Sequence, residues 1–377
     1  MKLFYTATCL FGLEGFLGEE IDKLGYKRVE NIDGRITFEA DQNAAAECNI
    51  NLRYAERLYL RIGSFDARTF TELFDGTKDL EWENYIGRED EFPVSGHAIK
   101  STLFSVPDCQ KIIKKAICSR LGEKYGLDRL PETGKRYKIE FFILKDRASL
   151  MIDLSGTPLH KRGYRPETVD APIRETLAAA MVKIARPRED VLLWDPFCGS
   201  GTIAIEAAMM MKNIAPGMNR TFVSEQYPLF PAESWIRARE KAHDLINRTT
   251  AFEAYATDID DGCVEIATAS AKRAGVDDRV NVFKMDALDI DTLGRRGTIV
   301  TNPPYGERLL TPEEAEELYR AMGEAFSRLE RWQIYVITPN ENFPKLYGRR
   351  ADKIRKLYNG MIPCYYYEFF KNKTKTE

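Results

Sequence analysis

The spacing of apolar positions changes character along the chain and divides it into three stretches. Leu3-Phe4-Tyr5-Thr6-Ala7 reads as a strand and Leu13 to Leu24 carries helical spacing. Arg35-Ile36-Thr37-Phe38-Glu39 alternates, Ala44 to Asn51 reads as a helix, and Leu58-Tyr59-Leu60-Arg61-Ile62 alternates again. Residues 1–65 are therefore expected to form a small α+β module of strand, helix, strand, helix, strand. A second module begins near Thr69: Leu73-Phe74 and Leu80 to Trp82 belong to helices, and Val94 to Lys100 is a strand. Pro107-Asp108 opens a basic helix through Lys111, Lys114 and Lys115. Tyr137 to Leu144 and Ala148 to Leu154 form a hairpin turned at Lys145-Asp146-Arg147, and a basic linker leads to a boundary near residue 166.

From Ala171 helices and short apolar strands alternate. Ile173 to Ala185 and Thr202 to Met211 are helical, while Val191 to Trp194, Ala254 to Thr257, Val280 to Phe283, Thr298 to Thr301 and Ile334 to Ile337 are buried strands. That alternation predicts a doubly wound sheet with its ligand at the carboxyl ends of the strands. Ile362 to Phe370 is expected to close it as an antiparallel strand, and the polar tail Lys371-Asn372-Lys373-Thr374-Lys375 to fray.

Length and composition agree with this division. A chain of 377 residues exceeds one comfortable core. Its net charge of -3 points neither toward nor away from nucleic acid, but the charges are uneven: residues 92–165 hold fifteen Lys/Arg against seven Asp/Glu, and residues 345–377 nine against three. The seven cysteines include no Cys-x-x-Cys pair and no histidine spaced to complete a zinc site, which suits a reduced, cytoplasmic protein without metal. No apolar run approaches the ~20 residues of a membrane span.

The candidate chemistry lies in the third stretch. Asn302-Pro303-Pro304-Tyr305 follows a strand, and two prolines make a stiff loop with its carbonyls held outward. The Asn302 side chain and the Pro303 backbone could together accept both hydrogens of an exocyclic amino group, with Tyr305 stacked on the ring. Upstream, Asp195-Pro196-Phe197-Cys198-Gly199-Ser200-Gly201-Thr202 joins a strand to a helix, and its glycines allow close approach of a ligand. With Ala204 this stretch also matches the G-x-G-x-x-A dinucleotide pattern, but a carboxylate at the strand end repels a pyrophosphate and welcomes an ammonium. Asp258 closes the next strand, where it could accept ribose hydroxyls, and Asp260 could cap the following helix. Asp286 is placed to accept from an adenine amino group.

These motifs resemble those of class I S-adenosylmethionine-dependent methyltransferases that act on amino groups. With His160-Lys161-Arg162-Gly163-Tyr164-Arg165 and Ala171-Pro172-Ile173-Arg174-Glu175-Thr176-Leu177-Ala178-Ala179 included, the whole chain resembles the THUMP-domain RNA methyltransferases that make N2-methylguanosine in large-subunit ribosomal RNA. The resemblance implies a ferredoxin-like domain at 1–65, a THUMP RNA-binding domain and linker at 66–166, and a Rossmann-like α/β methyltransferase domain at 167–377. It implies S-adenosylmethionine as cofactor and RNA as partner. Cofactor-binding residues would be Asp195, Pro196, Phe197, Gly199, Gly201, Thr202, Asp258, Ile259, Asp286, Ala287 and Asn302. Among these, Asp195, Gly199 and Gly201 would surround the methionine part, Asp258 the ribose and Asp286 the adenine. Asn302, Pro303, Pro304 and Tyr305 would be catalytic and hold a flipped-out base.

The sequence departs from the family pattern in a long connection from about Lys212 to Thr250. Its exposed-looking Phe222, Phe230 and Trp235 suggest an insertion near the site. Other readings stay open: guanine-N2 methylation of transfer RNA, adenine-N6 methylation of DNA or RNA, and an RNA-binding protein without catalysis. A nicotinamide enzyme ranks below these, because the glycine loop and Asp258 are separated by far more than the ~20 residues of that fingerprint.

Overall fold

The computed structural model describes residues 2–166, 173–305 and 311–370. Ala171, Pro172 and the polar tail, named above, lie outside them.

The N-terminal half contains β1 (Leu3–Thr8), α1 (Glu14–Lys23), β2 (Lys27–Ile32), β3 (Arg35–Ala40), α2 (Ala44–Asn51), β4 (Arg57–Asp66), α3 (Phe70–Lys78), β5 (Val94–Ile99), α4 (Val106–Tyr125), β6 (Ile139–Leu144) and β7 (Arg147–Asp153). Its strands form one seven-stranded sheet in the order β2-β3-β1-β4-β7-β6-β5. The sheet crosses the expected module boundary because β4 pairs with β1 on one side and β7 on the other, Leu60 facing Tyr5 and Ile152. Helices α1 to α4 pack on the face that carries Tyr5, Phe38, Leu60 and Ile152.

The second half contains α5 (Glu175–Ala185), β8 (Leu192–Asp195), α6 (Thr202–Met211), α7 (Ala232–Asp244), β9 (Ala254–Asp258), α8 (Asp261–Ala274), β10 (Val280–Lys284), β11 (Gly297–Thr301), α9 (Pro312–Ser327), β12 (Gln333–Thr338), α10 (Phe343–Leu346), β13 (Lys353–Asn359) and β14 (Ile362–Phe369). The sheet order is β10-β9-β8-β11-β12-β14-β13. The first five strands are parallel, and β14 runs antiparallel to β12 with Tyr365 opposite Thr338. Strand direction thus puts the ends of β8, β9, β10 and β11 on one edge, with a switch of winding between β8 and β11.

The structure corrects the expected element set at several points. Strands β2 and β13 are not evident in the sequence, because KRVENI and KIRKLYN are largely charged and lie at the ends of their sheets, where little is buried. The stretch around Trp82 is a short 3-10 turn, Trp82–Asn84. Part of the charge of the basic helix α4 is spent internally: Lys114 bonds to Glu132 at 2.5 Å and Arg120 to Glu83 at 2.5 Å.

The insertion differs most from expectation. It leaves the C-terminus of α6, at the opposite edge of the sheet from the glycine loop, so it does not begin near the site. Phe222, Phe230 and Trp235 are buried, at 3, 3 and 2% exposure. They are covered because the segment is fastened to the N-terminal half. The Gly217 amide donates to the Ile50 carbonyl, Arg220 to the Thr157 and Pro158 carbonyls, and Ser224 to the Leu154 carbonyl. Tyr227 stacks on Tyr137 with ring centres 4.2 Å apart beside a cavity of about 380 Å³.

A buried charge network adds a second tie. Glu206 of α6, fully buried, is met by Arg53 at 3.3 Å and Arg162 at 3.4 Å, and accepts the Tyr164 hydroxyl at 3.2 Å. A third tie is Glu56, which is bonded to His160, Arg174 and Thr176. Removing one partner from such a buried set leaves an uncompensated charge, so the two halves hold each other in one arrangement.

Candidate active site

The site is assembled at the carboxyl edge of the second sheet, where β10, β9, β8 and β11 end side by side. Along that edge the side chains come in the order Asp286, Asp258, Asp195, Asn302, four positions that lie far apart in the sequence. The strands behind them explain the convergence: the central β8 and β11 are buried throughout, β9 is largely buried and β10 at the sheet's end only in part, and each polar side chain stands where its strand ends or just beyond it.

Asp195 ends β8 with 1% exposure. Its Oδ1 accepts the Thr301 hydroxyl at 2.7 Å and the Phe197 amide at 3.3 Å, and among the described residues no cation is paired with it. Burial pushes its carboxyl up to about 7, the two hydrogen bonds pull the other way, and Asp258 adds to the rise. The result is an acid that a positively charged ligand group would ionise. The following loop turns through Gly199 at φ +51° and Gly201 at φ +79°, a backbone that favours glycine. A Cβ on Gly199 would meet nothing within 4 Å, so this side of the loop is open to a ligand, whereas at Gly201 it would press on Ala267 at 3.1 Å. Gly201 is the N-cap of α6, and Thr202, its first residue, is held by Arg165 at 3.2 Å. Pro196 and half-buried Phe197 complete the loop.

Asp258 links this loop to the next strand. Its Oδ2 accepts the Gly199 amide at 2.9 Å and its Oδ1 the Asp260 amide at 3.1 Å. Each oxygen keeps a lone pair for a further donor. Ile259 beside it is 64% exposed, an apolar side chain standing free at the rim. Asp260 caps α8 through the Cys263 amide at 3.0 Å, as its position suggested. Asp286 accepts the Leu288 amide at 2.9 Å and opens a short 3-10 turn over buried Ala287.

Asn302 follows β11 across the switch point. Its side-chain carbonyl accepts the Tyr305 hydroxyl, so Tyr305 is turned toward Asn302 and is not free to stack in this arrangement. The Pro303 carbonyl has no hydrogen-bond partner among the described residues. The Pro304 carbonyl is taken by the Tyr319 hydroxyl at 3.0 Å, and Tyr319 also meets Thr338 at 3.0 Å. These contacts fix the loop from below. Thr301 and Tyr319 are supporting residues to which the sequence gives no role, and Arg165 stands there only as part of the basic linker, since each acts through a contact made only in the fold. Among the described residues no group of three or more His, Cys, Asp or Glu is gathered to hold a metal ion, and no helix is long and apolar enough to cross a membrane.

Comparison with known proteins bears on this geometry. The model of the RMKL-like methyltransferase domain matches residues 162–368, the RlmL ferredoxin-like domain residues 5–59 and the THUMP domain residues 67–153. The chain is 46% identical over 97% of its length to YpsC of Bacillus subtilis (strain 168), named as a candidate RNA methyltransferase, and covers 95% of that protein. It is 32% identical over 94% of its length to the ribosomal RNA large subunit methyltransferase K/L of Psychromonas ingrahamii, but spans only 48% of that longer relative. Its fold is similar to the solved structure of SMU.472, described as a candidate methyltransferase complexed with SAH: the TM-score is 0.92 at 39% identity, with 99% of each chain covered. The chain therefore belongs to the RMKL-like methyltransferase family, and carries RlmL ferredoxin-like and THUMP domains ahead of its methyltransferase domain.

Proposed function

We propose that this chain transfers the methyl group of S-adenosylmethionine to the exocyclic N2 of a guanine in large-subunit ribosomal RNA. The observation that carries the reading is the convergence of Asp286, Asp258, Asp195 and Asn302 on adjacent strand ends, with an amino-gripping loop next to an open glycine turn. The residues present fit the cofactor: a buried carboxylate without a cation suits the amino-acid ammonium, and the open face of Gly199 admits the chain next to it. Asp258 would accept from the ribose and Asp286 from the adenine, with Phe197, Ile259 and Ala287 as apolar neighbours and Pro196 and Thr202 shaping the turn.

Bound there, the cofactor supplies an electrophilic methyl group. The work left to the protein is to orient a weak nucleophile. The Asn302 and Pro303 carbonyls accept the two hydrogens of the amino group, which favours a pyramidal nitrogen and stabilises the positive charge that develops on it. Once the methyl has parted from sulfur, which leaves as a neutral thioether, the nitrogen loses one of these protons to water. Tyr305 must release Asn302 as the base enters, and its ring is then available to stack. Pro303 and Pro304 hold the acceptors in place with fixed φ. Tyr319 locks the Pro304 carbonyl so that it does not compete.

Guanine, adenine and cytosine all present a suitable amino group. Ribosomal RNA is favoured by the K/L relatives, named for large-subunit ribosomal RNA, of which this chain spans about half, and guanine by the resemblance of the whole chain to the enzymes that make N2-methylguanosine. The same reading sets the domains at 1–65, 66–166 and 167–377, with the first two recruiting RNA, and the protein working in the cytoplasm. Nucleoside mass spectrometry of ribosomal and transfer RNA from cells with and without the protein tests it. Loss of N2-methylguanosine from large-subunit RNA is expected; loss of N6-methyladenosine, or loss confined to transfer RNA, would refute the substrate.

A further inference from the structure

The helices of the N-terminal half cover one face of its sheet, and the opposite face carries only a small apolar cluster of Tyr59, Phe142 and Met151 with Ile32 and Leu144 at its margin. In that face is a hollow of about 70 Å³ bordered by Arg35, Arg61 and Arg147, with Glu30 as the one carboxylate among its described lining residues and the Thr37 and Ser149 hydroxyls beside them. Three guanidinium groups against one carboxylate give it a positive balance.

The three arginines are not equivalent. Arg61 is committed to Glu30 at 2.8 Å. Arg147 reaches Asp66 at 3.3 Å, but both side chains are more than half exposed, a pairing that contributes little and leaves the guanidinium able to turn. Arg35 meets no carboxylate among the described residues, and its Nε is buried without a hydrogen-bond partner. Its guanidinium carbon sits over the Phe142 ring, 3.3 Å from the centroid, a contact that holds the group in place without supplying a hydrogen-bond acceptor in the ring plane. Burial lowers its pKa to about 10, so it is charged at neutral pH. A buried N–H without an acceptor is costly, and Glu140 and Glu30 act on this guanidinium only from beyond ion-pair distance, so an anion in the hollow would complete it.

The surroundings indicate what kind of anion. Gly34, next to Arg35, lies against the ring of half-exposed Phe11, and Phe11 meets Tyr358 edge-on at 5.9 Å. Tyr358 pairs with Pro363 at the turn of the β13–β14 hairpin. Because β14 runs antiparallel to β12, that turn projects past the edge where Asn302 lies. Two aromatic side chains, Tyr358 and half-exposed Phe11, thus stand between that turn and Gly34 beside the hollow, as suits a single strand that stacks a base there and leaves its backbone on arginines.

We propose that the Arg35 hollow binds a backbone phosphate of the RNA strand whose base is presented to Asn302. The inference rests on RNA being the substrate. A planar fork of N–H donors matches two phosphate oxygens, Arg147 closes from the rim, and the Thr37 and Ser149 hydroxyls lie beside them.

The test uses the full-length protein and an unmodified large-subunit ribosomal RNA transcript. Binding is measured between about 50 and 300 mM salt for wild type, Arg35→Gln, Arg147→Gln and the double variant, with calorimetry of S-adenosylmethionine as control. Arg147 is exposed, so its variant remains informative if Arg35→Gln folds poorly. Each single change is expected to weaken RNA binding about tenfold and to flatten the salt slope by about 0.7, one phosphate's share on a single strand. The double variant should lose little more than the stronger single, since both arginines serve one phosphate. Cofactor affinity should not move. Unchanged slopes in both variants, with wild type still methylating RNA, would overturn the hollow and leave the substrate reading intact. A wild type that neither binds nor methylates RNA would overturn both. Thermal protection of wild type, but not Arg35→Gln, by inorganic phosphate, with coincident RNA slopes, would make it a small-anion site and refute the RNA assignment.

Discussion

Replacing Asp195 by asparagine probes the least ordinary group at the site. Its carboxyl is moved from 3.8 to about 7, chiefly by burial. Below pH 7 the folded protein keeps this carboxyl neutral while the unfolded chain ionises above about pH 4, so stability is lost as the pH rises from 4 toward 7. A shift of that size costs about 4 kcal/mol at pH 7 and above, and nothing below pH 4. The amide side chain would keep an oxygen for the Thr301 hydroxyl and the Phe197 amide, both of which donate to Oδ1 of Asp195. The free Asp195→Asn protein should therefore be more stable than wild type at pH 8, by up to about 4 kcal/mol, and equal to it near pH 4. Cofactor binding runs the other way, because the ammonium needs the ionised carboxylate. Wild-type affinity should rise roughly tenfold per pH unit up to about pH 7 and turn down again above about pH 8, where the ligand's own α-ammonium loses its proton. The variant should show no such slope and should bind about 10- to 100-fold more weakly at pH 8, the value of a lost charged hydrogen bond. Calorimetric titration from about pH 5.5 to 8.5, with melts of the free proteins from about pH 4 to 8.5, gives both readouts across that transition. A pH-independent wild-type affinity, together with a variant no more stable at high pH, would refute the argument.

Three further outcomes are expected. Asn302→Ala should slow single-turnover methyl transfer by about 10²–10³, far more than it weakens cofactor binding, and a near-normal rate would remove Asn302 from the chemistry. Asp258→Ala should weaken cofactor binding by about 1–3 kcal/mol, since it removes both a ribose acceptor and the anchor of the Gly199 amide; unchanged calorimetric affinity in a folded variant would count against it. The Glu56 side chain is largely buried, and burial alone would raise its pKa, but His160, Thr176 and Arg174 together hold it at about 2. Its contribution, on the order of 3 kcal/mol, is present above its ordinary pKa of 4.5 and fades as the pH falls from there toward 2, so the gap in chemical-denaturation stability between wild type and Glu56→Gln should close over that window.

The alternation of helix and strand after residue 173, and the polar residues that end its strands, could be read directly from the sequence. A parallel strand buried on both faces needs a run of apolar side chains, and the ligand edge begins where that run stops. The turn at Asn302 after β11 was legible for a similar reason, since two prolines state their own backbone. Strands β2 and β13 were not, because an end strand is held by backbone hydrogen bonds on one side and can carry charged side chains into water. Nor could the aromatic residues of the insertion be assigned, because Phe222 and Trp235 look exposed until the N-terminal half covers them. The charge states belong to the tertiary structure alone. Whether Asp195 is an ordinary carboxylate, whether Lys114 is free for RNA, and whether Arg35 lacks an anion depend on which groups the fold brings within a few ångströms, and neighbours in space are not neighbours in the chain.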